Sequence, residues 1–253
     1  MSFHGLPCWY ELASPDLDAV KGFYAGLLGW TWADSGMPGM TYLLAKADGD
    51  MVAGLFAPDP GMPVAWTNYT AVDDADATAA KAKDLGATVV VPPTDIPGTG
   101  RFSVLIDPQG AVFGILQPQP MADGTAGGAF NQQKPGHGNW HDLSCPDSAA
   151  ALAFYGALFG WAQTRAMPMG PDMVYTVINR DGQDIGGIFT EGSKGGPAKW
   201  TVYFGTPSVH EAVKTVKSTG GAVQHDPAEV PGGAFIIHCT DPSDASFALV
   251  GPA

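Results

Sequence analysis

The sequence predicts an α+β fold of four strand–helix–strand–strand–strand units in two pairs, and two observations carry that reading. The phrase FYAGLLGW at 23–30 returns as FYGALFGW at 154–161, preceded by CWYELASPD (8–16) in the first case and NWHDLSCPD (139–147) in the second. Within each half the same order of elements then reads twice. Self-similarity at one long period marks duplicated modules, and 253 residues, 45% of them hydrophobic, suffice for two modest cores.

Each element has a local reason. Cys8 to Ala13 reads as a strand; Ser14, Pro15 and Asp16 supply a helix start, with Ser14 as the expected cap. Leu17, Val20, Phe23, Tyr24, Leu27 and Leu28 follow at helical spacing, and Gly29 closes the helix. WTWAD, TYLLA and MVAGLF follow as strands, the last two joined by Asp48-Gly49, a dipeptide suited to a tight hairpin. The second round is a strand from Trp66 to Val72, a helix from Asp74 to Leu85 stopped by Gly86, the strands TVVV and FSVLI, the turn DPQG and the strand AVFGILQ. In the second half Asp181-Gly182 matches Asp48-Gly49, Trp200 matches Trp66, and Asp241-Pro242 matches Asp107-Pro108. Residues 118–138 have no apolar periodicity and are crowded with Gly, Pro and polar residues, so they are expected to link a first module, 1–117, to a second, 139–253.

Charge and composition narrow the function. A net charge of −13 with only 12 Lys plus Arg repels a phosphate backbone, so no nucleic acid partner is expected. No run of 18 apolar residues is present, and MSFHGLPCW lacks the basic start and apolar core of a signal peptide; the expectation is a cytoplasmic protein without a membrane partner. Cys8, Cys145 and Cys239 are odd in number and widely spaced, which reads as buried reduced thiols. No phosphate loop, nucleophile elbow, dinucleotide fingerprint or metal-spaced His pair occurs.

These motifs resemble the vicinal oxygen chelate superfamily, which contains glyoxalase I, bleomycin and fosfomycin resistance proteins, methylmalonyl-CoA epimerase and extradiol dioxygenases. The matching features are the first strand ending LASPD or LSCPD, the FYxxLxGW helix, the Asp-Gly hairpin and the DPxG turn, each in both halves. The resemblance implies that each pair of units curls its mixed sheet into a cup with helices outside, and that any metal sits on the first, fifth and eighth strands. Those positions fall on Trp9, Thr67 and Gly114 in the first module and on Trp140, Thr201 and Ala248 in the second. Indole, methyl and hydrogen side chains offer a divalent ion none of its usual donors, so no metal and no other cofactor is expected.

Strand alternation places Trp9, Glu11 and Ala13 on one face, with Tyr10 and Leu12 toward the helix; Trp140, Asp142 and Ser144 correspond to the first set, His141 and Leu143 to the second. By the same rule Thr67 with Tyr69, and Thr201 with Tyr203, point into the two cups. The candidate ligand-binding residues are therefore Trp9, Glu11, Thr67 and Tyr69, and Trp140, Asp142, Thr201 and Tyr203. Aromatic walls with one carboxylate suit a small molecule; the same aromatics also read as core filler, and the carboxylates as partners of a local Lys or Arg. His141 reads as a packed core histidine, the facing of His238 is left open, and His4, His137, His210 and His225 carry little signal. The Met- and Pro-rich segments SGMPGM (35–40) and AMPMGPDM (166–173) read as lips over the cups or as irregular hairpins. The expected function is metal-free binding of a small hydrophobic or aromatic molecule; the alternative is an enzyme of glyoxalase, isomerase, hydroxylase or dioxygenase type using a cup carboxylate or an unrecognised metal site.

Overall fold

The computed structural model describes residues 3–119, 128–170, 173–190 and 197–253. The first half contains β1 (Pro7–Ala13), α1 (Leu17–Leu28), β2 (Thr31–Asp34), β3 (Tyr42–Ala47), β4 (Asp50–Phe56), β5 (Ala65–Ala71), α2 (Ala75–Asp84), β6 (Thr88–Ile96), β7 (Gly100–Ile106) and β8 (Val112–Pro118). The second contains β9 (Gly138–Ser144), α3 (Ser148–Phe159), β10 (Ala162–Gly170), β11 (Met173–Arg180), β12 (Gln183–Phe189), β13 (Lys199–Gly205), α4 (Val209–Ser218), the short β14 (Ala222–Val223) and β15 (Ala228–Glu229), β16 (Phe235–Thr240) and β17 (Ser246–Gly251). Among the described residues the strands form two mixed sheets. One runs β2-β3-β4-β1-β5-β8-β7-β6; the other runs β10-β11-β12-β9-β13-β17-β16-β14, with β15 on β16. The α+β class and the doubled order of elements are as the sequence predicts.

Local chemistry explains most boundaries. Asp48 and Gly49 (φ 50° and 87°), like Asp181 and Gly182 (φ 50° and 90°), take the positive angles of a two-residue hairpin. Gly29 closes α1 in the left-handed region at φ 69°. The cap of α1 is Asp16, whose carboxylate accepts from the Ala19 amide at 3.0 Å, not Ser14. The Ser14 hydroxyl is engaged elsewhere: it donates to Ser243 at 2.7 Å. TVVV is the start of a longer strand, whose register shifts between Val91 and Thr94, where Pro92 and Pro93 supply no N–H to the ladder. Of the segment 166–173, read from the sequence as a lip or as an irregular hairpin, Ala166 to Gly170 continue β10, with Ala166, Met167 and Pro168 opposite Thr176, Tyr175 and Val174 and a register shift between Pro168 and Gly170. β10 is an edge strand, where a proline is tolerated. Residues 171 and 172 lie outside the described residues.

The chain divides into two compact units, each drawing one half-module from either side of the repeat. One comprises Trp9–Trp66, Gly127–Trp140 and Thr201–Ala253. Its core gathers Tyr10 and Leu12 of β1, Val20, Phe23, Tyr24 and Leu27 of α1, Val202 and Phe204 of β13, and Val209 and Val216 of α4. Trp30 stacks on Tyr24 at 5.2 Å and meets Phe204 edge-on at the same separation. The other unit comprises Met1–Cys8, Thr67–Ala126 and His141–Trp200, where Phe113 meets Phe154, Tyr155 and Phe159 edge-on.

The repeated phrase has its explanation in these cores. Tyr24 of the first FYxxLxGW donates to Asp241 Oδ2 at 3.2 Å and accepts from Trp66 Nε1 at 2.9 Å, while Asp241 Oδ1 takes the turn amides of Ser243 and Ala245. Tyr155 of the second phrase donates to Asp107 Oδ2 at 2.9 Å and accepts from Trp200 Nε1 at 3.0 Å. Each helix tyrosine thus grips the DP turn of the opposite half and satisfies a carboxylate that burial would otherwise penalise. Burial, foremost, raises the Asp241 carboxyl above its ordinary range.

Of the expected linker, residues 120–127 lie outside the described residues, and 128–138 are anchored in the first unit described. Lys134 Nζ donates to Asp50 Oδ2 at 2.6 Å, His137 Nε2 lies 3.2 Å from the same oxygen, and Trp30 Nε1 donates to the Gly136 carbonyl at 2.7 Å. His137 is fully buried, a placement that its polar, Gly-rich neighbourhood conceals. The three cysteines are buried and free, with burial pushing the Cys145 and Cys239 thiols up to about 11 and about 12.

Candidate functional site

The first candidate site grows from β1. Tyr10 and Leu12 are buried in the core, and the intervening Trp9 and Glu11 lie half-buried on the opposite face. Glu11 stands beside Gly54 on β4, and Gly54 stands beside Leu44 on β3, two residues from Tyr42 on the same face. A Cβ on Gly54 would lie 2.0 Å from the Tyr42 hydroxyl oxygen. The absent side chain is the channel through which Tyr42 crosses β4. Its hydroxyl donates to Glu11 Oε1 at 2.7 Å and accepts from Trp9 Nε1 at 3.0 Å. Phe56 stacks on the Tyr42 ring at 6.4 Å. Burial first, then the Glu11 charge, raises the Tyr42 phenol well above its ordinary value.

The second half repeats the tyrosine-to-carboxylate pair of this device in the other unit. Asp142 stands beside Gly187 on β12, which stands beside Val177 on β11. Tyr175 crosses over Gly187, whose Cβ would lie 2.0 Å from its ring, and donates to Asp142 Oδ1 at 2.5 Å. Trp140 is half-buried, two residues before Asp142. Tyr42 and Tyr175 were not among the candidates drawn from the sequence. Their signal was the glycine inside each following strand, which marks a close approach, together with a tyrosine at matching places in both halves.

The remaining candidates lie on β5 and β13. Thr67 and Thr201 are half-buried; Tyr69 and Tyr203 are buried at 3% exposure each. Tyr69 lies over Gly114 of β8, and its backbone carbonyl accepts from the Cys8 thiol at 3.5 Å. Tyr203 is hydrogen-bonded to His238 Nε2 at 2.9 Å, which answers the open facing of His238. His141 is packed as expected: 3% exposed, with Nδ1 2.9 Å from the Ile185 carbonyl, and lowered by burial to a pKa of about 4. A separate cleft of about 500 Å³, lined by Pro15, Asp16, Leu17, Asp18 and Lys21 among others, lies at the start of α1 and includes none of the candidates.

A chelating metal is not matched by these residues. Trp9 spends its N–H on Tyr42, the ring of Tyr69 covers Gly114, and Glu11 is held by a phenol. Among the described residues no group of three or more His, Cys, Asp or Glu could hold an ion. What the arrangement offers is a carboxylate, a phenol and an indole in one hydrogen-bonded line beside an aromatic face. That set can orient a polar edge of a flat molecule.

Comparison with known proteins decides the family. The profile of the glyoxalase/bleomycin resistance protein/dioxygenase superfamily matches residues 8–115 and again 137–249. The chain belongs to that superfamily. Among curated relatives, CFP32 of Mycobacterium bovis, provisionally named a glyoxylase, is 33% identical over 98% of this chain and 95% of its own length. The anthracycline biosynthesis protein DauV of Streptomyces sp. (strain C5) is 32% identical over 97% of this chain and 93% of its own. A Mn(II)-bound glyoxalase from Novosphingobium aromaticivorans superimposes with a TM-score of 0.69 at 19% identity, covering 99% of this chain and 83% of that one. The 2,3-dioxygenase LapB of Pseudomonas sp. KL28 gives 0.68 at 16%, covering 100% and 94%; both likenesses concern the fold. No helix among the described residues is long and apolar enough to cross a membrane.

Proposed function

We propose that this superfamily member binds a small, flat, aromatic molecule without a chelated metal, on the strand faces that carry Trp9, Glu11, Thr67 and Tyr69 and, in the second half, Trp140, Asp142, Thr201 and Tyr203. The observation that carries the reading is the doubled tyrosine-to-carboxylate bond, Tyr42 to Glu11 and Tyr175 to Asp142. Core filler would have no need to repeat a half-buried carboxylate in both halves, because taking such a charge partly out of water is unfavourable. An aromatic ligand stacks on the indole, and a hydroxyl on its rim donates to the carboxylate. The similarity to a protein named for anthracycline biosynthesis agrees with a polycyclic ligand.

The test is a fluorescence titration with a hydroxyanthraquinone before and after dialysis against EDTA, with elemental analysis alongside. Binding is expected to survive EDTA and to weaken about tenfold in Glu11→Gln, the loss of one charged hydrogen bond. Binding that disappears with the chelator, or one tightly held equivalent of a transition metal, defeats the reading.

A further inference from the structure

His225, His238 and Tyr203 form a line that the ligand reading does not use. The Tyr203 hydroxyl lies 2.9 Å from His238 Nε2; His238 Nδ1 lies 2.7 Å from His225 Nε2; and His225 Nδ1 lies 2.7 Å from the Asp226 carbonyl. Protonation follows from the fixed groups. A carbonyl can only accept, so His225 Nδ1 carries a proton. The His238 backbone N–H also points at His225 Nε2, at 3.2 Å, so that nitrogen accepts. His238 Nδ1 must then be the donor to it, which leaves His238 Nε2 bare to accept from the Tyr203 phenol. The line starts at an exposed imidazole, passes through a half-buried one and ends on a buried hydroxyl.

Comparison of the two halves separates this line from scaffold. Tyr203 and His238 both stand beside Ala248 of β17, whose small side chain lets them meet. In the first half Tyr69 and Val104 both stand beside Gly114 of β8. The tyrosine is common to the halves, whereas valine occupies the place of His238. The fold is thus built once without the histidines.

We infer that Tyr203 is the inner end of a proton relay that connects it through His238 to His225 and water, serving a bound small molecule that gains or loses a proton at oxygen or at carbon beside a carbonyl. In the forward direction the ligand's proton passes to the Tyr203 oxygen as the phenol's own proton passes to His238 Nε2. The His238 Nδ1 proton moves to His225 Nε2, and His225 releases one proton to water. One proton leaves the ligand and one reaches solvent; the reverse sequence delivers one. Tyr203 belongs to the ligand face proposed above, but the relay is tested without a ligand, so the two can fail separately.

The experiment uses the full chain with tyrosine labelled at carbon ζ, in equal volumes of H₂O and D₂O. A slowly exchanging hydroxyl gives two carbon lines and a rapidly exchanging one gives a single line. Tyr203 is expected to exchange at least tenfold faster than the buried Tyr24 and Tyr155, and to slow at least tenfold in both His225→Gln and His238→Gln while those two controls stay unchanged. His225 is exposed, so its variant keeps the fold. Two sharp lines for Tyr203 in the unaltered protein, or a single line that persists in either variant, overturns the relay.

Discussion

Glu11 and Asp241 receive the same chain of donors, indole to phenol to carboxylate, yet their surroundings give them different work. Asp241 is 2% exposed and its two oxygens are taken by Tyr24 and two turn amides; Glu11 is half-buried on a strand face. Removing the Tyr24 hydroxyl leaves a buried carboxylate oxygen short of a donor. Tyr24→Phe should lower stability by about 1–3 kcal/mol in urea unfolding, whereas Tyr42→Phe should weaken hydroxyanthraquinone binding and leave the urea midpoint nearly unchanged; equal losses of stability would place both tyrosines in the scaffold. His141 supplies a pH dependence. Its pKa falls from 6.5 to about 4 on folding, so the unfolded chain binds the proton first. The stability His141 contributes is complete above pH 6.5 and is lost as pH falls toward about 4, a loss of roughly 3 kcal/mol at about 1.4 kcal/mol per unit. Urea titrations at pH 7 and 4.5 should show a smaller drop in His141→Gln than in the unaltered chain, and parallel drops would refute the assignment.

A strand is usually described by its side chains, but β4 and β12 act through a missing one. Gly54 and Gly187 leave room for a tyrosine from the neighbouring strand to pass over them and reach the next. Alanine at either place puts a Cβ into the ring. Gly54→Ala is therefore expected to push Tyr42 off Glu11 and reduce hydroxyanthraquinone affinity about as much as Tyr42→Phe does, with the far-ultraviolet circular dichroism retained. An affinity equal to that of the unaltered protein would show that Tyr42 takes no part in binding.

At the scale of the molecule, neither half of the repeat owns its core. The unit that contains α1 is completed by β13, α4 and β17 from the other half, with Phe204 set against Tyr10, Trp30 and Trp66. Residues 1–117 expressed alone should lack a cooperative transition, because the apolar face of α1 has nothing to cover it, and adding residues 118–253 should restore one. In the intact chain Phe204→Ala should cost about 3–5 kcal/mol, as expected for a buried aromatic, and the loss should appear in hydrogen exchange of α1, although α1 lies far away in sequence. A fragment 1–117 as stable as the whole chain would refute this account.

The α+β class, the doubled order of elements, the Asp-Gly hairpins and the inward turn of Tyr10, Leu12 and Leu143 were legible in the sequence, because alternation, helical spacing and turn chemistry act between residues a few places apart. The face carrying Trp9 and Glu11 followed from the same rule. The partners did not. Tyr24 meets Asp241 across 217 positions, Tyr42 meets Glu11 across 31, and His225 meets His238 only because β16 returns beside it. Such pairings depend on which strand lies next to which and on a glycine or alanine that leaves the gap. Periodicity records the face a side chain takes; only the assembled sheets decide what stands opposite it.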